Sequence, residues 1–155
     1  ENRSRFLFEV VDAVTGVWDA DRVGIRLSPG SSFNGMHDEN PTETFGFVAE
    51  NLNAYDLAYV HLAENDPVDG RPARKLVRPR YDGPLVVAGE YDRESGEAAL
   101  QNDKAYARRF LANPDLPERF AQNAPLNDWD RDTFYGGDAD GYTDYPTLEE
   151  TTEPL

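Results

Sequence analysis

Asp21-Arg22-Val23-Gly24-Ile25-Arg26-Leu27-Ser28-Pro29-Gly30 carries an apolar run interrupted only by Arg26 and closed by a proline and a glycine. Val23 to Leu27 reads as a short buried strand, because nearly unbroken apolar runs suit strands covered on both faces. Pro29 and Gly30 forbid its continuation. The unit then recurs. Leu57 to Leu62 is a second strand, ending at Glu64-Asn65-Asp66-Pro67, and Pro84 to Ala88 is a third, ending at Gly89. Helical patterns separate them. Pro41 and Thr42 open a helix with Phe45, Val48, Ala49 and Leu52 on one side, and Pro72 and Pro79 limit a partly helical stretch within Arg71 to Arg80. Asp92 is placed to cap a helix over Ser95 to Leu100. Before the first strand, Phe6, Leu7, Val10, Val11, Val14 and Val17 recur at spacings of three and four, predicting an amphipathic helix over Arg5 to Val17 packed on a core. Strands alternating with helices predict an α/β fold with a parallel sheet covered by helices.

The alternation falters where a fourth strand is due: Asn102 to Arg109 contains no apolar run. Phe110-Leu111-Ala112 restores hydrophobicity, Asn113-Pro114-Asp115 breaks it, and Leu116 to Phe120 predicts a short helix. From Ala124 the chain is rich in Pro, Gly, Asp and Tyr. Trp129, Phe134, Tyr135, Tyr142 and Tyr145 give that tail too much apolar surface for a linker, so its beginning is expected to pack and its last residues to be disordered.

Composition sets the bounds. The 155 residues carry 30 Asp plus Glu against 15 Lys plus Arg, a formal charge of −15. That balance argues against nucleic acid and anionic membrane as partners, since both need a basic face. No cysteine is present, which removes disulfides, thiolate nucleophiles and cysteine-held metals. No apolar run reaches the roughly 20 residues of a membrane helix. Eighteen aromatic side chains set the chain apart from disordered acidic sequences. A globular protein of the cytoplasm is the expectation.

In parallel α/β folds ligands sit at the carboxyl ends of the strands. That rule selects Arg26 and Ser28, Glu64, and Gly89 with Glu90. Arg26 is a charge inside an apolar strand, expected to be buried and so to need an anionic or electron-rich partner. Gly89 is either a turn residue or a bare backbone that a phosphate or ring can approach. Glu64 and Glu90, on neighbouring strand ends, could form the carboxylate pair of a small glycoside hydrolase, or could cap loops and pair with arginine. His61 reads as a core or barrel histidine, His37 as a loop residue, and Arg71 to Arg80 as a solvated helix face. No metal-ligand set is expected.

Ordered segments of the chain then resemble one family. Glu1-Asn2-Arg3-Ser4-Arg5-Phe6, Asp21 to Pro29, Ala88-Gly89-Glu90-Tyr91, Phe110 to Pro117, Thr133-Phe134-Tyr135-Gly136-Gly137 and Gly141 to Pro146 resemble, in order, the C-terminal half of the Old Yellow Enzyme family. The resemblance implies half of a (β/α)8 TIM barrel over residues 1–123, from the helix after barrel strand four, with a C-terminal extension over 124–155. It implies FMN as cofactor, NADPH or NADH as hydride donor, and an activated alkene as the small-molecule substrate. Arg26 would contact the N1/O2 edge of the isoalloxazine, where a fixed cation favours the reduced ring. Gly89 and Glu90 would line the FMN phosphate, and Ala107 with Arg108 would stand at the family's Gly-Arg phosphate clamp. Phe134 and Tyr135 would border the substrate pocket.

The sequence departs from that pattern at several positions. Glu90 stands where a small or amide residue is usual, Ala107 stands for glycine, and about four apolar residues of barrel strand eight are missing before it, relative to the run each barrel strand needs. The family's substrate-anchoring His/Asn or His/His pair and proton-donating tyrosine have no counterpart here, so no catalytic residue is assigned and the chain alone is expected to be inactive. Two open sheet edges would leave it to pair with the missing N-terminal half or to self-associate. A non-catalytic, associating half-barrel is the competing expectation.

Overall fold

The computed structural model describes residues 1–89, 91–100, 108–136 and 138–152. Two compact units are present, one formed by residues 1–89 with 97–100, the other by residues 91–96, 108–136 and 138–152. Glu90, Ala107 and the stretch where a fourth strand was due fall outside the described residues, as does the Arg108 side chain.

The first unit opens with α1 (Arg5–Thr15) and then alternates β1 (Gly24–Leu27), α2 (Pro41–Leu52), β2 (Tyr59–Ala63), α3 (Arg74–Val77) and β3 (Leu85–Ala88). The three strands pair in parallel in the order β1-β2-β3. The register sets Arg26 beside His61 and His61 beside Val86. Strand side chains alternate between two faces. On one face Leu27, Val60, Leu62, Leu85 and Val87 are buried, as are Val48, Ala49 and Leu52 of α2 and Ala73 and Val77 of α3. Each large aliphatic chain buried in this core contributes roughly 1.5–3 kcal/mol.

Local chemistry sets the helix ends. The Asn40 side chain accepts the Glu43 N–H at 3.4 Å and donates to the Glu43 carboxylate at 2.8 Å, with Pro41 at the first helical position. Prolines 72 and 79 hold α3 to one turn.

One expectation is corrected. The stripe on α1 predicted a face packed on a core, yet only Val11 of α1 is buried, while Phe6 is 75% and Val17 is 76% exposed and Val10 and Val14 are exposed as well. Periodicity reports that a face is apolar; it does not report what lies over it.

After β3, α4 (Arg93–Leu100) starts from the predicted cap in the second unit: Asp92 Oδ1 accepts the Ser95 N–H at 2.8 Å, and Ser95 Oγ accepts the Asp92 N–H at 3.0 Å. Then come α5 (Arg108–Ala112), α6 (Leu116–Gln122) and α7 (Leu148–Thr152), so the end of the tail is helical up to Thr152. The tail is tied to α6 by Arg119, which is 1% exposed. Its guanidinium donates to Asp115 at 2.6 Å and to the carbonyls of Pro125 and Pro146 at 2.8 Å each. Asn113, fully buried, accepts the Asn127 N–H at 2.8 Å, and Asn127 donates to the Ala112 carbonyl at 2.8 Å.

Candidate functional site

The sheet face opposite the core carries Gly24 and Arg26 from β1, Tyr59, His61 and Ala63 from β2, and Val86 and Ala88 from β3. Arg26 is exposed on this face and makes no hydrogen bond or ion pair among the described residues, so its reading as a buried charge is corrected. The apolar run concealed this, because β1 is covered on one face only. A fixed cation near the carboxyl end of a parallel sheet is a ready partner for an anionic or electron-rich group.

His61, its lateral neighbour, is half-buried, and its Nε2 is buried with no hydrogen-bond partner among the described residues. Burial pushes the imidazole pKa below its ordinary 6.5, and the Arg26 charge pushes the same way. One row below, a Cβ on Gly24 would lie 2.4 Å from the Tyr59 ring, so a bare backbone lets that ring lie across β1.

Glu64, at the end of β2, faces the other way in chemical terms. Its side chain is 6% exposed, one oxygen accepts the Arg74 backbone N–H at 2.5 Å, and the other lies 3.3 Å from the Arg74 guanidinium. It caps α3 and balances a charge, so it is no free nucleophile. The glycoside hydrolase reading is therefore not supported: Glu64 is committed to Arg74, and its supposed partner Glu90 lies outside the described residues. Gly89 follows β3 directly and offers backbone alone.

Phe134 and Tyr135 belong to the second unit. They follow a 3-10 turn at Arg131–Thr133 whose start is capped by the Asp130 carboxylate, and Phe134 is half-buried while Tyr135 is 96% exposed. The Arg109 guanidinium lies 5.8 Å from the ring centroid of Trp129. The structure thus brings Arg26 and Gly89 to one sheet and Phe134 and Tyr135 to one turn. Sequence reasoning missed Arg119 and Asn113, which hold the tail carrying that turn. For Arg119 the Asp115 pair at i,i+4 is a local signal, but its burial and its acceptors six and 27 residues on are not.

Among the described residues no helix is long and apolar enough to cross a membrane. Compared with known proteins, residues 1–127 match the NADH:flavin oxidoreductase / NADH oxidase family. The chain is 44% identical over 165 residues to a putative 12-oxophytodienoate reductase 3 of Oryza sativa subsp. japonica, covering 99% of this chain and 43% of that protein. It is 41% identical over 169 residues to 12-oxophytodienoate reductase 2 of Arabidopsis thaliana, covering 97% of this chain and 43% of that one. Morphinone reductase superposes on the whole chain with a TM-score of 0.82 at 44% identity, over 44% of its own length. The old yellow enzyme from Trypanosoma cruzi covers 94% of this chain with a TM-score of 0.85 at 32% identity, over 40% of its own length. The chain thus spans less than half the length of these relatives. Its parallel strands alternating with helices are those of part of a (β/α)8 barrel.

Proposed function

The chain belongs to the NADH:flavin oxidoreductase / NADH oxidase family, that of Old Yellow Enzyme, and on that premise we propose that it is the C-terminal portion of an FMN-dependent ene-reductase. The observation that carries this reading is Arg26, an exposed cation on β1 without a partner among the described residues, which we assign to the flavin-contacting position from its place in the family pattern. A bound FMN would supply hydride transfer from NADH or NADPH to the β-carbon of an alkene activated by a carbonyl or nitro group. A structure of morphinone reductase with tetrahydroNAD supports a nicotinamide as donor.

The residues fit such a cofactor in charge and in space. Arg26 supplies a fixed positive charge to the N1/O2 edge of the ring, and Gly89 supplies a backbone free of side-chain bulk. We assign Glu90, Ala107 and Arg108 to the phosphate end of the same site from their positions in the family pattern. We assign Phe134 and Tyr135 to the alkene pocket from their positions in the family pattern, and the Tyr135 ring is almost fully exposed. We divide the chain into barrel, residues 1–123, and extension, residues 124–155.

The residues that protonate and anchor substrate are supplied by the remainder of the barrel, which we infer to be this chain's partner. The exposed apolar side chains Phe6, Val10, Val14, Val17 and Trp18 support that inference, because a large exposed apolar patch marks an interaction surface. We place the reaction in the cytoplasm, where reduced nicotinamide is available.

The test is to join the chain behind the complementary N-terminal portion of morphinone reductase. The fusion is expected to retain FMN and to reduce 2-cyclohexenone with NADH, and Arg26→Gln is expected to weaken flavin retention. A fusion that folds, by circular dichroism, yet holds no flavin overturns the reading.

A further inference from the structure

Arg71 to Arg80 contains five of the chain's 15 basic residues and no acid, in a protein with 30 Asp plus Glu. The structure divides those five by use. Arg74 pairs with Glu64, and Arg78 donates to the carbonyls of Tyr81 and Gly83. Arg80 donates to the Leu76 carbonyl at 2.9 Å and lies 3.4 Å from Glu50. Arg71 and Lys75 remain. Both are exposed, and neither side chain has a hydrogen-bond or ion-pair partner among the described residues.

These two, four residues apart, join Arg80 in lining a cleft of about 330 Å³, with Thr42 and Asp69 also on its wall. Two features hold the cations in place. Asp69 and Gly70 have φ values of 50° and 72°, the backbone of a tight hairpin turn, and Val68 and Arg71 exchange backbone hydrogen bonds of 2.9 and 3.0 Å across it. That turn fixes the backbone from which Arg71 extends. Gly46, in the interior of α2, is the second: a Cβ there would sit 3.2 Å from Arg80 Nε. A mid-helix glycine weakens a helix relative to alanine, and here its bare backbone makes room for the guanidinium. The carboxylate in the cleft, Asp69, accepts a hydrogen bond from the Thr42 hydroxyl, and Glu50 offsets Arg80, so among the described residues Arg71 and Lys75 are the unpartnered charges there.

We propose that this cleft binds a phosphate group, either the free inorganic ion or the phosphate of a small monoester. Arg71 supplies paired N–H donors that match two oxygens of a tetrahedral anion, Lys75 a compact second charge, and Arg80 a third. With Arg80 offset by Glu50, Arg71 and Lys75 bring two charges unpartnered among the described residues, which suit a dianion. The site uses none of the residues assigned above to flavin or alkene, and it stands whether or not that assignment does.

The test is an NMR titration of the 155-residue chain at constant ionic strength, once with inorganic phosphate and once with ribose 5-phosphate. The expected result is saturable shifts at the amides of Thr42, Gly70, Arg71 and Lys75. Arg71→Ser with Lys75→Ser should weaken binding by at least about tenfold, while Arg71→Lys with Lys75→Arg should hold it within about threefold. Tighter binding of the ester identifies a phosphorylated metabolite as the ligand; equal or weaker binding identifies the free ion. Shifts that rise without saturating, or that persist in the double serine variant, overturn the proposal.

Discussion

Replacing Arg119 with methionine should loosen the segment that presents Phe134 and Tyr135. The Arg119 side chain is 2% exposed, and its three donors end on Asp115, on the Pro125 carbonyl and on the Pro146 carbonyl. The last two acceptors bracket the stretch that holds the aromatic pair, so one guanidinium closes both ends of it. Methionine fills part of the volume but offers no donor. Asp115 would keep the Leu148 N–H at 2.6 Å, and the Pro146 carbonyl would keep the Asn127 amide at 2.8 Å, whereas the Pro125 carbonyl would lose its side-chain donor. Breaking one side of a buried ion pair costs about 3–5 kcal/mol, of which an orphaned carbonyl accounts for roughly 1–3 kcal/mol. The expected loss is therefore about 3–5 kcal/mol. Urea unfolding followed by Trp129 fluorescence, in a background with Trp18 replaced by phenylalanine, reads this directly. Arg119→Lys should recover less than half of it, since a point charge cannot serve three separate acceptors. Acidity supplies a second check. Desolvation pushes the Asp115 carboxyl up, but the bonds from Arg119 and the Leu148 N–H outweigh it and hold the pKa below 3.8. A depressed carboxyl contributes stability above its unfolded pKa and loses it as pH falls through the folded value. The gap between wild type and variant should accordingly narrow below about pH 4. A loss under about 1 kcal/mol at neutral pH would refute the view that Arg119 holds the tail.

Two further outcomes follow from the first unit. Glu64→Gln keeps an acceptor for the Arg74 N–H and removes the ion pair, so thermal unfolding should show a loss of about 1–3 kcal/mol while neither form hydrolyses aryl glycosides; measurable hydrolysis by the wild type would revive the carboxylate-pair mechanism. His61 should titrate below 6.5 by NMR and rise only partly in Arg26→Gln, because burial is the larger cause and the Arg26 charge the smaller. Since the folded imidazole resists protonation, its contribution to stability should fall as pH drops below about 6.5, and a His61 pKa at or above that value would contradict the packing described.

The strand–helix alternation was legible because each element carries its own punctuation. Pro29-Gly30 ends the first apolar run and Gly89 follows the last, and β1 and β3 each start one residue inside the predicted range. The second run was placed at Leu57 to Leu62 but pairs as Tyr59–Ala63, because Leu57 is buried in the turn that precedes the ladder. The cap at Asp92 was equally local, needing only a side chain and an N–H three residues on. What the sequence could not show is facing. The stripe on α1 and the run around Arg26 are apolar by composition, but whether a surface covers them depends on elements distant in the chain.

The same limit explains which site residues could be read and which could not. Arg26 drew notice as a charge in an apolar strand, and its position survives even though its burial does not. Glu64 drew notice as a carboxylate at a strand end and proved to serve α3 instead, because a partner ten residues away, brought back by the loop before α3, leaves no periodic trace. The two carboxyl-end charges thus differ by what the adjacent loop supplies. The segment after β2 returns Arg74 to neutralise Glu64, whereas no described residue neutralises Arg26. An uncompensated cation at the carboxyl end of a parallel sheet, in a chain of net charge −15, is retained against the many acids available to pair with it. That asymmetry fits an anionic ligand edge at Arg26 and a purely structural carboxylate at Glu64, and it ties the flavin reading to an observation separate from family membership.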